Sequence, residues 1–339
     1  MKRIYWIASI LILLIALYLL GPAPARPQFG PVPAPAAASD LRALEAKINT
    51  SEAAIPGIKP DNEARIVWAD SFAYKKTPYS LVYLHGFSAS QGEGRPTHLE
   101  FAQRYGCNLY LARLQGHGIE TQEPLLDLSP ENLYASAREA LAIGQQIGER
   151  VILMSTSTGG TLSLMLAAEY PDIAGQILYS PNIDLYDDNS SILIQPWGLY
   201  LARAINSGKY RQWEGSGETP KYWTTRYRVE ALVALKALVA ATMTPETFAS
   251  VNQPVFLGYY YKNETEQDQT VSVPRMLEMF DQLATPAANK RKVAFPNVAD
   301  HVIASEITSK DRESVRDETF RFAEEVLGLV PVSGSEEHP

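Results

Sequence analysis

The chain has a single cysteine, Cys107. No internal disulfide can form, and a metal site built on two or four cysteines is excluded. Histidine is scarce, with five in 339 residues. Lysines and arginines number 30 against 38 aspartates and glutamates, a net charge of −8, and they form no basic cluster. That balance argues against nucleic acid, whose phosphates demand clustered cations. A G-x-x-x-x-G-K phosphate loop is absent, and no internal repeat stands out. What is abundant is apolar residue, 46% of the chain. Once the N-terminus is set aside, roughly 300 residues remain, which suits one large α/β domain with an insertion or two small domains.

The N-terminus is a segment of its own. Lys2 and Arg3 precede an uncharged run from Ile4 to Leu20. As a helix that run spans about 25 Å, slightly short of a ~30 Å hydrocarbon core. Trp6 and Tyr18 stand near its ends, where interfacial aromatics are favoured. The charges predict that this end stays cytoplasmic and that the remainder is exported. Residues 1–20 therefore read as a membrane anchor, or as a signal segment cut at the A-x-A pattern of Ala23 and Ala25. The Pro, Ala and Gly of residues 21–38 read as a tether. The folded part is expected from about Ser39, so that 39–339 form the main domain.

Short apolar runs then alternate with helical patterns. "EARIVWAD" (63–70) reads as an edge strand, and "SLVYLH" (80–85) as a strand covered on both faces. "NLYLARL" (108–114), "VILMS" (151–155), "QILYSP" (176–181), "PVFLGYYY" (254–261) and "KRKVAFPN" (290–297) continue the series. Helical spacing marks 129–148, 160–171, 273–284 and 310–326, with Ser129 as N-cap and Pro130 in the first turn of its helix. Such alternation predicts a mostly parallel sheet covered by helices on both faces. Residues 182–250 break the rhythm. They hold Trp197, Trp213, Trp223 and the apolar stretch "VEALVALKALVAATM", and read as an insertion placed to act as a lid.

At 155–158, four hydroxyls follow a buried strand and precede two glycines: "STSTGG". A sharp strand-to-helix turn projects one residue and needs small neighbours, because the two backbones approach closely. Aligned on G-x-S-x-G, Ser157 takes the apex, Ser155 the first glycine position and Gly159 the second. A polar capping turn or a phosphate-binding nest would use the same residues. A serine nucleophile needs a base and an orienting group. His301, in a loop after the last strand, is the best base. His338 lies in the tail, His85 and His117 sit in glycine-flanked turns, and His98 has no matching context. The acid is expected after the preceding strand, at Asp268, with Glu266 next and Glu264 and Asp300 behind. Two backbone donors are needed for an oxyanion: the N–H of Thr158, and that of Phe87 in "HGFSASQGEG".

These pieces together resemble the α/β-hydrolase superfamily, and within it the monoacylglycerol-lipase-like and serine-aminopeptidase-like branch. "LHGFSAS" (84–90), "ARLQGHG" (112–118), "STSTGG" and the order Ser157, Asp268, His301 carry the resemblance. It covers about residues 79–326. In that branch the histidine of the "GHG" turn is usually structural. Two departures stand out: Ser155 replaces the first elbow glycine, and Thr265 stands where a Gly-x-x-Asp pattern would place a glycine. The resemblance implies an α/β-hydrolase fold and hydrolysis of a small-molecule ester through an acyl-enzyme on Ser157. A lipid-derived ester is one substrate class, and no metal or organic cofactor is implied. A peptidase of the same fold is the first alternative, with Asp184, Asp187 and Asp188 as its amine-binding cluster. A non-catalytic binding module is the second. An apolar acyl chain is expected to lie against Trp197, Leu199, Leu201 and the 229–243 helix.

Overall fold

The computed structural model describes residues 2–30 and 40–332. The rest of the Pro/Ala stretch, the expected boundary at Ser39 and the tail with His338 lie outside the described residues. The N-terminal helix α1 spans Lys2–Leu19 and α2 spans Leu41–Ala53. The first half of the main body holds β1 (Arg65–Val67), β2 (Thr77–Leu84), α3 (Thr97–Tyr105), β3 (Asn108–Leu111), α4 (Pro130–Ile147), β4 (Gly148–Thr156), α5 (Thr158–Glu169) and β5 (Gly175–Tyr179). The next stretch holds α6 (Gly198–Ile205), β6 (Tyr210–Gln212), α7 (Thr219–Tyr222), β7 (Arg226–Arg228), α8 (Val229–Thr242) and α9 (Pro245–Ala249). The chain then completes β8 (Val255–Tyr260), α10 (Val273–Gln282), β9 (Lys290–Phe295) and α11 (Arg312–Glu325).

Seven strands form one sheet in the order β1-β3-β2-β4-β5-β8-β9. Only β1 runs antiparallel to its neighbour, as the edge strand expected at 63–70; the other pairings are parallel. The continuous apolar runs follow from burial on both faces. Val82, Leu84 and Leu153 enter one core with α4, α5, α8 and α10. Their neighbours Leu81, Tyr83, Ile152 and Met154 enter the other core with α3 and α11. Ser129 caps α4 by accepting the Asn132 N–H at 3.1 Å. At the carboxyl end of the sheet, Ser155 of β4 lies in register with Leu84 and Leu178. The chain leaves β4 there and enters α5 with one residue between.

Two parts of the chain differ from expectation. The stretch 182–250 divides in function. Its apolar helix α8 buries Ala231, Leu235, Leu238 and Val239 in the same core as α4 and α5. It packs against α4, α5 and α6 on the path from β5 to β8. The small antiparallel pair β6-β7 and helices α6 and α7 form the true excursion.

The N-terminal arm also differs. No helix among the described residues is long and apolar enough to cross a membrane. In α1 the charged Lys2 and Arg3 belong to the first turn, and the uncharged part rises only about 24 Å, so the expected spanning anchor is not supported. Nor does the described part of the tether hang free. The Trp197 N–H donates to the Pro22 carbonyl at 2.9 Å, and its indole N–H to the Leu17 carbonyl at 3.1 Å. The Gln28 N–H then reaches Glu131 at 2.9 Å, and Phe29 packs edge-on against Tyr134.

Candidate active site

The turn between β4 and α5 forces Ser157 into an unusual backbone conformation, φ 54° and ψ −118°. Its N–H donates to the Tyr179 carbonyl at 3.0 Å, and its carbonyl accepts from Gly160 and Asn182 at 2.8 and 2.9 Å. This network of main-chain bonds holds a strained apex in place. Gly159 is required by the close approach: a Cβ there would lie 1.9 Å from the Leu84 carbonyl oxygen. Ser155 meets no such obstacle. It is fully buried in β4, and its hydroxyl donates to the Ile177 carbonyl at 3.4 Å. That is why a serine is accommodated where the pattern has a glycine.

The turn opens onto a cavity of about 930 Å³. Ser157, Asp268 and His301 all line it, as do Phe87 and Thr158. His301 Nδ1 lies 2.6 Å from Asp268 Oδ2. Asp268 is 1% exposed, and its Oδ1 accepts the N–H groups of Thr270 and Val271 at 2.8 and 3.0 Å. Burial disfavours the His301 cation, but the carboxylate of Asp268, with Asp300 adding to it, outweighs burial and raises the imidazole above its ordinary value. His301 Nε2 is buried without a hydrogen-bond partner among the described residues. Thr158 opens α5, so its N–H has no intrahelical acceptor.

The other candidates are placed elsewhere or otherwise engaged. Glu266 is exposed and bound to Lys262 and Asn263 at 2.8 and 2.9 Å, and Glu264 accepts from Tyr261. Asp300 accepts the Val302 N–H, and burial raises its carboxyl. His85 is a structural residue. Its Nε2 accepts the Leu114 N–H at 3.0 Å, so its Nδ1 carries the proton and donates to the Gly86 carbonyl. Burial, with His117 adding to it, holds His85 far below the usual histidine range. His117 packs beside it at 5.1 Å, and burial lowers it to about 4. His98, also lowered to about 4 by burial, bonds the Gln91 carbonyl at 2.9 Å and packs on Tyr83.

One residue of this site was not among those read from the sequence. Glu93, in the 3-10 turn Gln91–Gly94, is 2% exposed and lines the cavity. Its only signal in the sequence is an acidic residue set between two glycines in "HGFSASQGEG".

A seven-stranded, mostly parallel sheet with a strained serine at its carboxyl edge is one half of the family argument. The other is that residues 81–307 match the family described as "Alpha/beta hydrolase family". The chain belongs to the alpha/beta hydrolase family. Within that family it is 29% identical over 117 residues to the thermostable monoacylglycerol lipase of Bacillus sp. (strain H-257), covering 34% of this chain and 46% of that one. It is 32% identical over 107 residues to the human alpha/beta hydrolase domain-containing protein 17B, covering 30% and 35% of the two chains. The chain thus spans less than half the length of these relatives. Among solved structures, one of the metagenome-derived lipolytic enzymes LipS and LipT superposes with a TM-score of 0.63 at 18% identity, over 78% of this chain and 98% of that one. The monoacylglycerol lipase of Paleococcus ferrophilus superposes with a TM-score of 0.53 at 16% identity, over 75% and 96%. At these identities the structures show the fold. With the sequence relatives they support the monoacylglycerol-lipase-like branch of the family and a hydrolase.

Proposed function

We propose that the protein is a serine hydrolase that cleaves carboxylic esters through an acyl-enzyme. The observation that carries this reading is the bond between His301 Nδ1 and Asp268 Oδ2 on the wall of the cavity that Ser157 also lines. Ser157 Oγ adds to the ester carbonyl while His301 Nε2 takes its proton. Asp268 holds the proton on Nδ1 and stabilises the imidazolium. The N–H groups of Phe87 and Thr158 receive the oxyanion. Its collapse expels the alcohol, to which His301 returns the proton. Water then enters, loses a proton to His301 and releases the acid by the same path in reverse.

The acyl group is proposed to be an apolar chain, and its wall differs in part from the one expected. Trp197 and Leu201 of the excursion are exposed, Leu199 is half-buried, and none of the three lines the cavity. The helix expected at 229–243 does line it, through Leu232 and Leu235 of α8, together with Leu185, Trp213 and Tyr227. A chain lying along them contributes about 0.8 kcal/mol per buried methylene, so four methylenes would raise kcat/KM by roughly two orders of magnitude. The printed names of the relatives, a monoacylglycerol lipase among them, agree with such a substrate.

The peptidase alternative rested on Asp184, Asp187 and Asp188. None of the three lines the cavity. Asp184 is paired with the buried Lys236, and Asp187 caps the turn at Asn189. The test is a p-nitrophenyl ester series from acetate to decanoate, below micelle-forming concentrations, beside a set of aminoacyl anilides. Rising kcat/KM with chain length supports the reading. A peak at acetate removes the chain, and cleavage of anilides alone removes the esterase.

A further inference from the structure

Glu93 is the buried carboxyl that the reaction above does not use. Its Oε2 accepts the Gly86 N–H at 2.6 Å and the Tyr83 hydroxyl at 3.3 Å. The Tyr83 hydroxyl is in turn paired with Thr156 Oγ1 at 3.0 Å. With two donors converging on Oε2, a proton on this carboxyl has its place on Oε1. That oxygen faces the reacting residues. The position a Cβ would take on Gly86 lies 2.8 Å from Glu93 Oε1 and 3.1 Å from Ser157 Cβ. The side chain therefore does two things at once: it fixes the peptide that leads into Phe87, and it presents its second oxygen beside the nucleophile.

We propose that Glu93 works in its protonated form, holding the Gly86–Phe87 loop through Oε2 and presenting an O–H donor on Oε1 to the cavity beside Ser157. This rests on the serine-hydrolase reading. An ionised Glu93 would place another negative charge near Asp268 and Asp300, where the reaction itself generates an oxyanion. Like charges on buried groups disfavour one another. A neutral carboxyl adds no charge and supplies a donor, as buried acids do where an oxyanion must be stabilised.

The surrounding groups agree. Burial raises the Glu93 carboxyl to about 7, with Asp300 adding to it, while the Gly86 N–H, His301 and Tyr83 pull it back. Tyr83 stays a neutral phenol, its own ionisation pushed well up by burial and by Glu93. His98, packed on Tyr83, is neutral at that pH. Among the described residues His301 is the group beside Glu93 that can carry a positive charge, and it must be neutral to act as a base.

The proposal predicts the shape of the pH profile. kcat/KM rises with pH as His301 loses its proton, then falls as Glu93 loses its own. Glu93→Gln mimics the protonated acid: the amide oxygen accepts from Gly86 and Tyr83, and the amide N–H takes the place of the O–H. The experiment is the pH profile of ester hydrolysis by wild type and Glu93→Gln, from about pH 5 to about pH 9. The variant is expected to keep the acid limb set by His301 and to lose the alkaline fall. An unchanged alkaline fall overturns the proposal. So does a roughly hundredfold loss at every pH in a variant that still labels with a fluorophosphonate, because the site would then need the charge. A wild-type profile with no alkaline fall overturns it without any variant. A direct measurement stands apart from turnover: infrared difference spectra should show a protonated-carboxyl band in wild type at neutral pH that Glu93→Gln lacks. Absence of that band also overturns the proposal. A protein that shows the band yet cleaves no ester and takes no fluorophosphonate leaves the protonated Glu93 standing and sinks the hydrolase reading instead.

Discussion

His301 Nδ1 and Asp268 Oδ2 stand 2.6 Å apart although 33 residues separate them in the chain. Asp268 follows β8 and His301 follows β9, and these strands are parallel neighbours, so the loops after them emerge at the same edge. The two N–H bonds from Thr270 and Val271 aim the second carboxylate oxygen at the imidazole.

Asp268→Asn is expected to lower kcat by about four orders of magnitude, because an amide favours the wrong imidazole tautomer. Glu266→Gln should stay within about twofold of wild type, since exposed ion pairs of this kind contribute little. Steady-state ester hydrolysis checks both, and the reverse pattern would exchange their roles.

A fluorophosphonate probe should label wild type and Ser155→Ala, and fail to label Ser157→Ala. Ser155 is enclosed in β4, whereas Ser157 reaches the cavity. Labelling that survives in Ser157→Ala but disappears in Ser155→Ala would sink the assignment.

Gly159→Ala should abolish labelling and lower soluble yield. The added methyl meets the carbonyl oxygen of Leu84 at 1.9 Å and its carbon at 2.6 Å. Both atoms are main chain in a central strand, so neither can move aside without disturbing the sheet. Ser155→Gly should keep labelling with a small loss of stability, since it removes one hydroxyl bond and adds backbone freedom. A Gly159→Ala protein with native melting behaviour would refute this account of the turn.

Glu93 should also shape stability. A carboxyl whose folded value is raised costs the fold nothing below its unfolded value. Here the cost grows as pH rises from about 4.5 to about 7, and it reaches roughly 3 kcal/mol at 1.36 kcal/mol per unit. Glu93→Gln escapes this cost. Its melting temperature relative to wild type should therefore be higher at about pH 8 than at about pH 4. Thermal unfolding at the two pH values measures the difference, and an equal offset at both would contradict the sign.

Much of this was legible in the sequence where local pattern and tertiary environment agree. The central strands are buried on both faces, so their apolar runs are nearly unbroken, and Ser129 with Pro130 marks the start of α4 by local capping alone. The apex at Ser157 was legible because a tight turn between a strand and a helix restricts residue size. α2 is hard to read because only Leu44 and Ile48 of it are buried, and α3 because it has only nine residues. α8 is apolar nearly all round, a pattern that reads equally well as lid or as core, and it serves as both: Leu238 and Val239 enter the core while Leu232 and Leu235 line the cavity. The outward face of α6 was beyond reach, since Trp197 turns away from the cavity to meet Leu17 and Pro22. Glu93 was passed over because its burial comes from a loop folding back over Gly86, and nothing in its immediate neighbours announces that.

The contact between Trp197 and the arm has a mechanical meaning. Following the chain from α1 towards the body, the first bonds met are those to Trp197, which stands at the start of α6. The bonds to α4, which packs on the sheet, come only later, at Gln28 and Gly30. A load applied to α1 is thus felt at α6 before it is felt at α4. The arm is a handle fastened to the excursion that stands outside the layered frame of the described residues.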